Sequence, residues 1–347
     1  MAETTEIAWC DSTFNPWMGC TRVSPACDNC YAAVSTPART MGVPWGAGQP
    51  RRRTSPANWS MPLRWEREHA AFFAEHSRRR RVFCASLADV FDNEVDPAWR
   101  ADLLRLIADT PNLDWLLLTK RIGNAGRMIA DTLRTMQADP LARTPHWPWP
   151  NVWLGATICN QVEADRDIPK LLAVPAEVRF LSIEPLLGAI DVRRWMGIAV
   201  GGSTHQLMGE DFYRCDLTGA PLEGIDWVIA GGESGHGARP MHPDWARSLR
   251  DQCAGADAPF LFKQWGNWVV DEIARSPARS AMPGVDPKRR WLEVDGSTYA
   301  RSTLERTKAY AMVNVGKRQA GRLLDGRTHG AFPAVNATPT YPKESRL

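Results

Sequence analysis

Short apolar runs recur along the chain at a regular spacing. Their mean step is about 35 residues, the length of a strand followed by a helix. Each run has four or five continuous apolar residues, as in Val82–Ala85, which is typical of parallel strands covered on both faces. The runs begin at residues 82, 115, 152, 178, 227 and 259, and helical patterns occupy residues 62–77, 97–109, 122–137, 160–173 and 243–254. The pattern predicts an α/β fold with a full or partial parallel (β/α) barrel.

The same pattern predicts the domain organisation. Residues 1–266 would form the barrel, whose first strand lies before residue 20, with insertions at about 40–62 and 190–224. Residues 267–347 are rich in Pro, Gly and basic residues and predict an irregular C-terminal extension or cap. Within it, Arg290–Val294 resembles a short strand.

Composition narrows the protein class only moderately. A net charge of +3 permits an anionic partner without arguing for one. The polar opening Met1–Glu6 and the lack of an apolar run of about 20 residues predict a cytoplasmic protein with no membrane association. Its eight cysteines are therefore expected to be thiols or ligands, and most of its 16 tryptophans are expected to be core residues.

Three cysteines lie close together near the start of the chain, in the spacing C-x6-C-x2-C. Converging thiolates suit a soft metal or an iron–sulfur cluster. Three ligands, Cys20, Cys27 and Cys30, would leave one iron of a [4Fe–4S] cluster open. Cys10 could instead be a fourth ligand, whereas Cys84 and Cys159 lie in or next to strands and are expected to be small core residues.

Polar residues follow each predicted strand. In a parallel barrel the carboxyl ends of the strands share one rim, where chemistry gathers. The residues singled out on this rim are Ser86, Asp89, Lys120, Thr157, Ser182, Glu184, Gly231, Gly232, Glu233, Lys263 and Gln264.

Two features of the chain allow two interpretations each. The Gly-Gly-Glu segment 231–233 could cradle a ligand or simply form a tight turn between strand and helix. The basic clusters Arg51–Arg53 and Arg78–Arg81 could contact phosphates or form a solvated surface.

The cysteine loop on the rim of a parallel barrel, with a Gly-Gly-Glu turn elsewhere on it, resembles the radical S-adenosylmethionine (SAM) enzymes. The chain is more closely similar to a family of phage- and prophage-encoded three-cysteine-motif proteins of unknown function, distant relatives of those enzymes. The resemblance spans residues 9–333 and rests on segments such as Asn15–Cys20, Ala26–Tyr31, Phe180–Gly188 and Phe262–Gly266. Two features depart from the usual radical-SAM pattern, the six-residue first cysteine gap and the late position of Gly-Gly-Glu.

This resemblance implies a [4Fe–4S] cluster that binds SAM and a 5′-deoxyadenosyl radical that attacks a nucleotide or nucleic-acid substrate. It also implies an electron donor such as a flavodoxin or ferredoxin, and it is compatible with a partner protein encoded nearby. Lys120, Lys263 and Gln264 would bind an anionic substrate or donate protons. The SAM or substrate contacts would be Tyr31, Ser86, Asp89, Thr157, Ser182, Glu184, Gly231, Gly232 and Glu233.

Two alternatives remain open at the level of sequence. The loop could be a closed structural zinc or iron–sulfur site in a nucleic-acid-binding protein without turnover. The barrel could also bind a ligand without transforming it.

Overall fold

The fold is described by a computed structural model that covers residues 3–34, 41–138, 144–196, 224–271, 289–299 and 309–334. The strands are β1 (Ser12–Thr13), β2 (Trp17–Met18), β3 (Arg52–Arg53), β4 (Arg80–Cys84), β5 (Leu113–Thr119), β6 (Val152–Thr157), β7 (Val178–Ile183), β8 (Trp227–Gly231), β9 (Phe260–Gln264), β10 (Trp268–Val270), β11 (Arg289–Leu292), β12 (Thr298–Tyr299) and β13 (Tyr310–Asn314). The helices are α1 (Tyr31–Val34), α2 (Pro56–Arg67), α3 (His69–His76), α4 (Pro97–Ala108), α5 (Ile122–Gln137), α6 (Gln161–Leu172), α7 (Pro243–Gly255) and α8 (Lys317–Ala320). None of these helices is long and apolar enough to cross a membrane.

Seven strands form one parallel sheet in the order β1-β4-β5-β6-β7-β8-β9. The sheet curls into a half-barrel, with β1 and β9 at its two edges. The six apolar runs predicted as strands are β4 to β9, and each observed strand begins within two residues of its predicted start. The predicted α/β class and the partial parallel barrel are thus confirmed.

The two faces of the sheet have different partners. Helices α4 to α7 pack on the outer face, around residues such as Val82 and Leu154. The inner face carries an aromatic layer that contains no helix residue, formed around Trp9, Phe83, Trp153, Phe180 and Trp227. Strand alternation puts every second side chain on this inner face. The prediction that tryptophans serve the core is confirmed for these buried residues.

Gly155 leaves the space that the aromatic layer needs to pack against β6. A Cβ atom at this position of β6 would lie 2.3 Å from Cζ of Phe180. The ring of Phe180 therefore occupies the space that any other residue would fill at Gly155. At this position the β6 backbone and the Phe180 ring are therefore closely packed.

One predicted boundary is wrong. The Pro- and Gly-rich composition predicted an irregular insertion up to residue 62, but α2 already begins at Pro56. Ser55 caps this helix, since its hydroxyl accepts a hydrogen bond from the Asn58 amide, and proline is favourable at the first helical position. The interior Pro62 suggested a helix start, although the helix passes through it.

The extension is also more regular than predicted. Strands β10 to β13 form a separate antiparallel sheet in the order β10-β13-β11-β12. Only β11 was visible in the sequence, because the other strands are short and pair with distant segments. Most of the predicted insertion at 190–224, including Cys215, lies outside the described residues.

A segment near residue 330 completes the outer edge of the main sheet. Leu261 of β9 bridges Gly330 in antiparallel fashion. The amide of Phe262 donates to the carbonyl of His329 at 3.0 Å, and the amide of Ala331 donates to the carbonyl of Phe260 at 3.2 Å. The adjoining Phe332 packs against Trp227, so this segment also contributes to the inner face.

Candidate functional site

The cysteine loop begins just after β2, which pairs with β3 in a small antiparallel sheet, and it is fixed at its start by Gly19. This residue has a φ of +102°, a conformation that favours glycine, and its amide donates to the carbonyl of Leu87 at 3.1 Å. Leu87 follows β4, so the bond holds the start of the loop at the carboxyl end of that strand. Cys20 is therefore placed on the rim where the sequence predicted it.

A short 3₁₀ turn, Pro25–Cys27, shapes the rest of the loop. The Ser24 hydroxyl accepts a hydrogen bond from the amide of Ala26 at 3.0 Å. The amide of Cys30 then donates to the carbonyl of Cys27 at 3.3 Å, and α1 begins at the next residue. The loop thus has a defined internal geometry.

Exposure separates the loop cysteines from the others. Cys20, Cys27 and Cys30 are partly exposed, whereas Cys10, Cys84, Cys159 and Cys253 are buried. All seven are free thiols, as the sequence predicted, and Cys84 and Cys159 are confirmed as core residues. Among these seven described cysteines, only those of the loop combine proximity in sequence with access to a ligand.

Arg121 contacts Cys20 directly. Its Nη1 lies 3.4 Å from Sγ of Cys20, and its Nη2 donates to the carbonyl of Thr21 at 2.6 Å. Burial, followed by the charge of Asp89, raises the pKa of Cys20 to about 11, although Arg121 acts in the opposite direction. A guanidinium beside a thiol is a favourable neighbour for a sulfur that carries negative charge as a ligand.

Asp89 supports Arg121 and has most of its acceptor positions occupied. Its Oδ1 accepts from the hydroxyl of Thr119 at 2.7 Å and the amide of Phe91 at 3.0 Å. Its Oδ2 accepts from the amide of Lys120 at 2.9 Å and faces Arg121 at 3.4 Å. Three hydrogen-bond donors and one guanidinium thus surround the carboxylate. Asp89 thus supports the loop, and its predicted ligand contact stays a prediction.

Glu233 is occupied in the same way. Its carboxylate accepts from the amide and Nε of Arg239, at 2.8 and 2.9 Å, and from Nη2 of the same residue at 2.7 Å. The side-chain amide of Asn29 supplies the fourth donor at 3.0 Å. Burial alone would raise the pKa of Glu233, but the hydrogen bonds from Arg239 and Asn29 outweigh burial and hold that pKa below its ordinary value.

These bonds join the Gly-Gly-Glu segment to the cysteine loop. Asn29 lies between Cys27 and Cys30, and Arg239 also pairs with Asp28 at 3.0 Å. Gly232 is required by packing, since a Cβ there would lie 2.0 Å from the carbonyl oxygen of Trp265. For Gly232 the structure thus supports the tight-turn alternative, and Glu233 connects the loop to β8.

Glu184 is the carboxylate that keeps acceptor capacity. It follows β7 on the inner side of the rim, next to Gly231, and its side chain is 16% exposed. Lys263 Nζ donates to Oε2 at 2.6 Å, and Gln264 Nε2 donates to Oε1 at 2.8 Å. Two of its lone-pair positions therefore remain for a ligand. The structure brings these three predicted residues into one cluster.

Two hydroxyl residues stand beside this cluster on the inner face. Thr157 of β6 and Ser182 of β7 are register partners, and both are buried. Within the described part of the chain, the Thr157 hydroxyl has no hydrogen-bond partner. The ammonium of Lys120 likewise has no polar partner among the described residues. A bound molecule would satisfy these groups.

Tyr31 and Ser86 lie across the rim. The phenol of Tyr31 donates to the carbonyl of Ser86 at 2.8 Å, while Asn15 donates to the Ser86 hydroxyl at 3.0 Å. Enclosure of the phenol, followed by the charges of Cys30 and Glu184, raises the pKa of Tyr31. Through its phenol, Tyr31 connects the start of α1, directly after the cysteine loop, to the carboxyl end of β4.

Apart from the exposed Arg52, which donates to the carbonyl of Met41, the arginines of the basic clusters are at least partly buried and contact other side chains. Arg51 is buried and pairs with Asp92 at 2.7 Å. Arg78 binds both oxygens of Asp11, and Arg79 faces Asp114 at 3.5 Å. The remaining contacts are those of Arg53 with Asp102 and Trp59, Arg80 with Phe72, and Arg81 with Phe332. Carboxylates and aromatic rings of the protein itself thus contact most of these guanidinium groups.

Sequence reasoning missed three residues that shape the site: Asn29, Arg121 and Arg239. Arg121 and Asn29 adjoin predicted residues, and that adjacency was the only signal they carried. Arg239 lies six residues after Glu233 in a loop without a recognisable motif. The hydrogen-bond partners of Arg239 can be identified only in the folded structure.

The donor set fits a cluster held by thiolates. Three accessible thiols share one short loop, and a cationic donor lies beside one of them. Among the described residues, no group of three His, Cys, Asp or Glu side chains is arranged to hold a single metal ion.

Comparison with known proteins gives a family and no activity. Neither the curated proteins nor the solved structures yield a match to this chain. A family model described as a protein of unknown function, DUF5131, matches residues 4–333, nearly the whole chain. The chain therefore belongs to the DUF5131 family.

Proposed function

We propose that this protein is a radical-SAM-like enzyme in which Cys20, Cys27 and Cys30 hold a [4Fe–4S] cluster. The observation that carries the proposal is the position of three accessible cysteines opposite a polar cluster on the rim of a parallel half-barrel. Three ligands leave one iron free for a further molecule. When bound, such a cluster supplies one-electron reductive cleavage of SAM.

The residues of this chain would then have separate tasks. Arg121 orients Cys20, and the Glu233–Arg239 pair holds the turn between Cys27 and Cys30. Glu184 offers free acceptor positions for an ammonium or hydroxyl group, and the Thr157 hydroxyl offers an unused donor. The buried aromatic layer beneath them excludes water from the inner face.

For the substrate we propose an anionic molecule, a nucleotide or a nucleic acid. The support is local: the ammonium of Lys120, which has no polar partner among the described residues, lies on the rim, and Lys263 lies on the same rim paired with Glu184. The clusters Arg51–Arg53 and Arg78–Arg81 add little support at the rim, because Arg51 and Arg78 are paired with internal carboxylates. A small redox protein such as a flavodoxin or ferredoxin would supply the electron, and a further partner protein is compatible with this scheme.

The test is an anaerobic purification with cluster reconstitution. Iron, sulfide and zinc are quantified, electron paramagnetic resonance spectra are recorded with and without SAM, and 5′-deoxyadenosine is measured after dithionite reduction. Serine substitution of Cys20, Cys27 or Cys30 should abolish the cluster, because each removes one of three ligands. The matched control is Cys10→Ser, which should retain it.

Each other outcome points to a specific alternative. Stoichiometric zinc without iron would refute the cluster and support a structural metal site. Loss of the cluster in Cys10→Ser would show four protein ligands and no open iron. A cluster whose electron paramagnetic resonance spectrum does not change when SAM is added would refute SAM binding, although the cluster itself would be established.

A further inference from the structure

A cavity lies at the amino-terminal ends of the strands, on the side of the half-barrel opposite the cysteine rim. Its volume is about 310 Å³, at the lower end of the range for small-molecule sites. The chain segment before β1 and residues of the β4 end line it, and Phe332 forms one wall. Trp9, Cys10 and Arg81 contribute to this lining, together with the paired side chains of Asp11 and Arg78. The cavity therefore has apolar walls and a polar side with one more arginine than carboxylates.

Arg81 is the unusual group in this cavity. It is only 9% exposed, and its guanidinium stacks 3.7 Å from the ring centre of Phe332. Within the described part of the chain, its side chain has no carboxylate within ion-pair distance, and its Nε is buried without a hydrogen-bond acceptor. Burial of an unpaired charge is costly, so such groups in proteins are expected to meet a partner.

The neighbouring charges do not supply that partner. Arg78 binds the carboxylate of Asp11 through both oxygens, and Arg79 faces Asp114. Three arginines thus stand against two carboxylates, and Arg81 carries the excess positive charge. Burial and the charge of Arg78 lower the pKa of Arg81 to about 10, so it stays charged at neutral pH.

A second donor in the cavity also lacks an acceptor. Trp9 is 2% exposed, and its indole N–H has no hydrogen-bond partner among the described residues. The surplus positive charge of Arg81 is the feature that a ligand with one negative charge would complement.

We propose that this cavity binds a small organic anion, with its acidic group on Arg81 and its apolar body against Phe332. The acidic group is a carboxylate or a phosphate, both of which the planar guanidinium recognises through paired hydrogen bonds. The site is separate from the cysteine rim and does not depend on the function proposed for it.

Calorimetric titration of the full chain with three probes tests the proposal. Benzoate and phenyl phosphate share an apolar ring and differ in the acidic group, whereas benzyl alcohol is neutral. At least one of the two anions should bind at least about tenfold tighter than the alcohol, because a hydrogen bond to a charged group is strong. The tighter anion identifies the acidic group.

Arg81→Met should remove this preference, and Arg80→Met is the matched control. Arg80 is the adjacent arginine, but it stacks on Phe72 and donates to the Ser12 hydroxyl, away from the cavity lining. Arg80→Met should therefore bind like the wild type. Thermal unfolding with and without the anion gives a second measurement, since only the wild type and Arg80→Met should be stabilised.

Three results would overturn the proposal. They are equal binding of the alcohol and the anions, anion binding that survives Arg81→Met, and binding by none of the probes. If Arg81→Met does not fold, Arg81→Lys replaces it, because it keeps the charge and loses the paired donors. Anion affinity in Arg81→Lys must then lie below that of the wild type, and unchanged affinity would refute the role of Arg81.

Discussion

The substitution Arg239→Gln is expected to loosen the cysteine loop at a measurable cost in stability. The Arg239 side chain donates to Glu233 at 2.7 and 2.9 Å, to Asp28 at 3.0 Å and to the carbonyl of Pro25 at 2.9 Å. Removing one member of a fully buried pair costs about 3–5 kcal/mol. Here the Glu233 side chain is 6% exposed but that of Arg239 is 32% exposed, so solvent screening lowers the expected cost to about 2 kcal/mol.

Two measurements on the metal-free protein test this expectation. Chemical denaturation should show the loss of unfolding free energy, and alkylation followed by mass spectrometry should show faster modification of Cys27 and Cys30. Arg247→Gln is the matched control, because Arg247 is also 32% exposed and pairs with Asp244 and Asp325 away from the loop. The control should lose stability without any change in cysteine reactivity.

The reasoning fails if Arg239→Gln leaves the alkylation rates of Cys27 and Cys30 at the wild-type value. It also fails if Arg247→Gln accelerates them equally. The first result would mean that Asn29 and the 3₁₀ turn fix the loop without Arg239. The second would mean that alkylation reports overall stability rather than the local contact.

Two further predictions concern the fold. Gly155→Ala should destabilise the protein by about 1–3 kcal/mol, because the new methyl group overlaps the Phe180 ring, whereas Gly126→Ala in α5, with its nearest neighbour at 3.5 Å, should stabilise it by about 0.5–1 kcal/mol. Equal effects in thermal unfolding would contradict this. Hydrogen bonds from Arg247 and Arg250 lower the pKa of Asp325 to about 2, so Asp325 stabilises the fold above its unfolded pKa of about 3.9 and loses this effect as pH falls towards 2. The difference in unfolding free energy between the wild type and Asp325→Asn should be constant above pH 5 and shrink as pH falls from about 4 to 2, and a difference that is undiminished at pH 2 would refute the assignment.

The strands could be predicted because burial on both faces leaves a strong local signal. Runs such as Val152–Ala156 are apolar throughout, so a few consecutive residues suffice to identify them. The same reasoning located the rim, since each polar residue that follows a strand lies at its carboxyl end. Glu184, Lys263 and Gln264 were found in this way, although nothing local showed that they touch.

The occupancy of each carboxylate could not be predicted. Asp89, Glu184 and Glu233 look alike in sequence, each following an apolar strand. Asn29, which helps to saturate Glu233, lies 204 residues away from it. Whether an acid supports the structure or remains available is thus decided by donors from other parts of the chain. The strands of the extension were missed for a similar reason, because their stability comes from pairing with distant segments.

The pairing of residues 329–331 with β9 has a consequence for synthesis of the chain on the ribosome. Every parallel strand of the half-barrel emerges before this segment, so the backbone groups of Phe260 and Phe262 stay unpaired until late in translation. An unpaired strand edge is a template for aggregation. Nascent chains that stall before residue 329 should therefore depend on chaperones, even though every strand of their parallel sheet has already been synthesised.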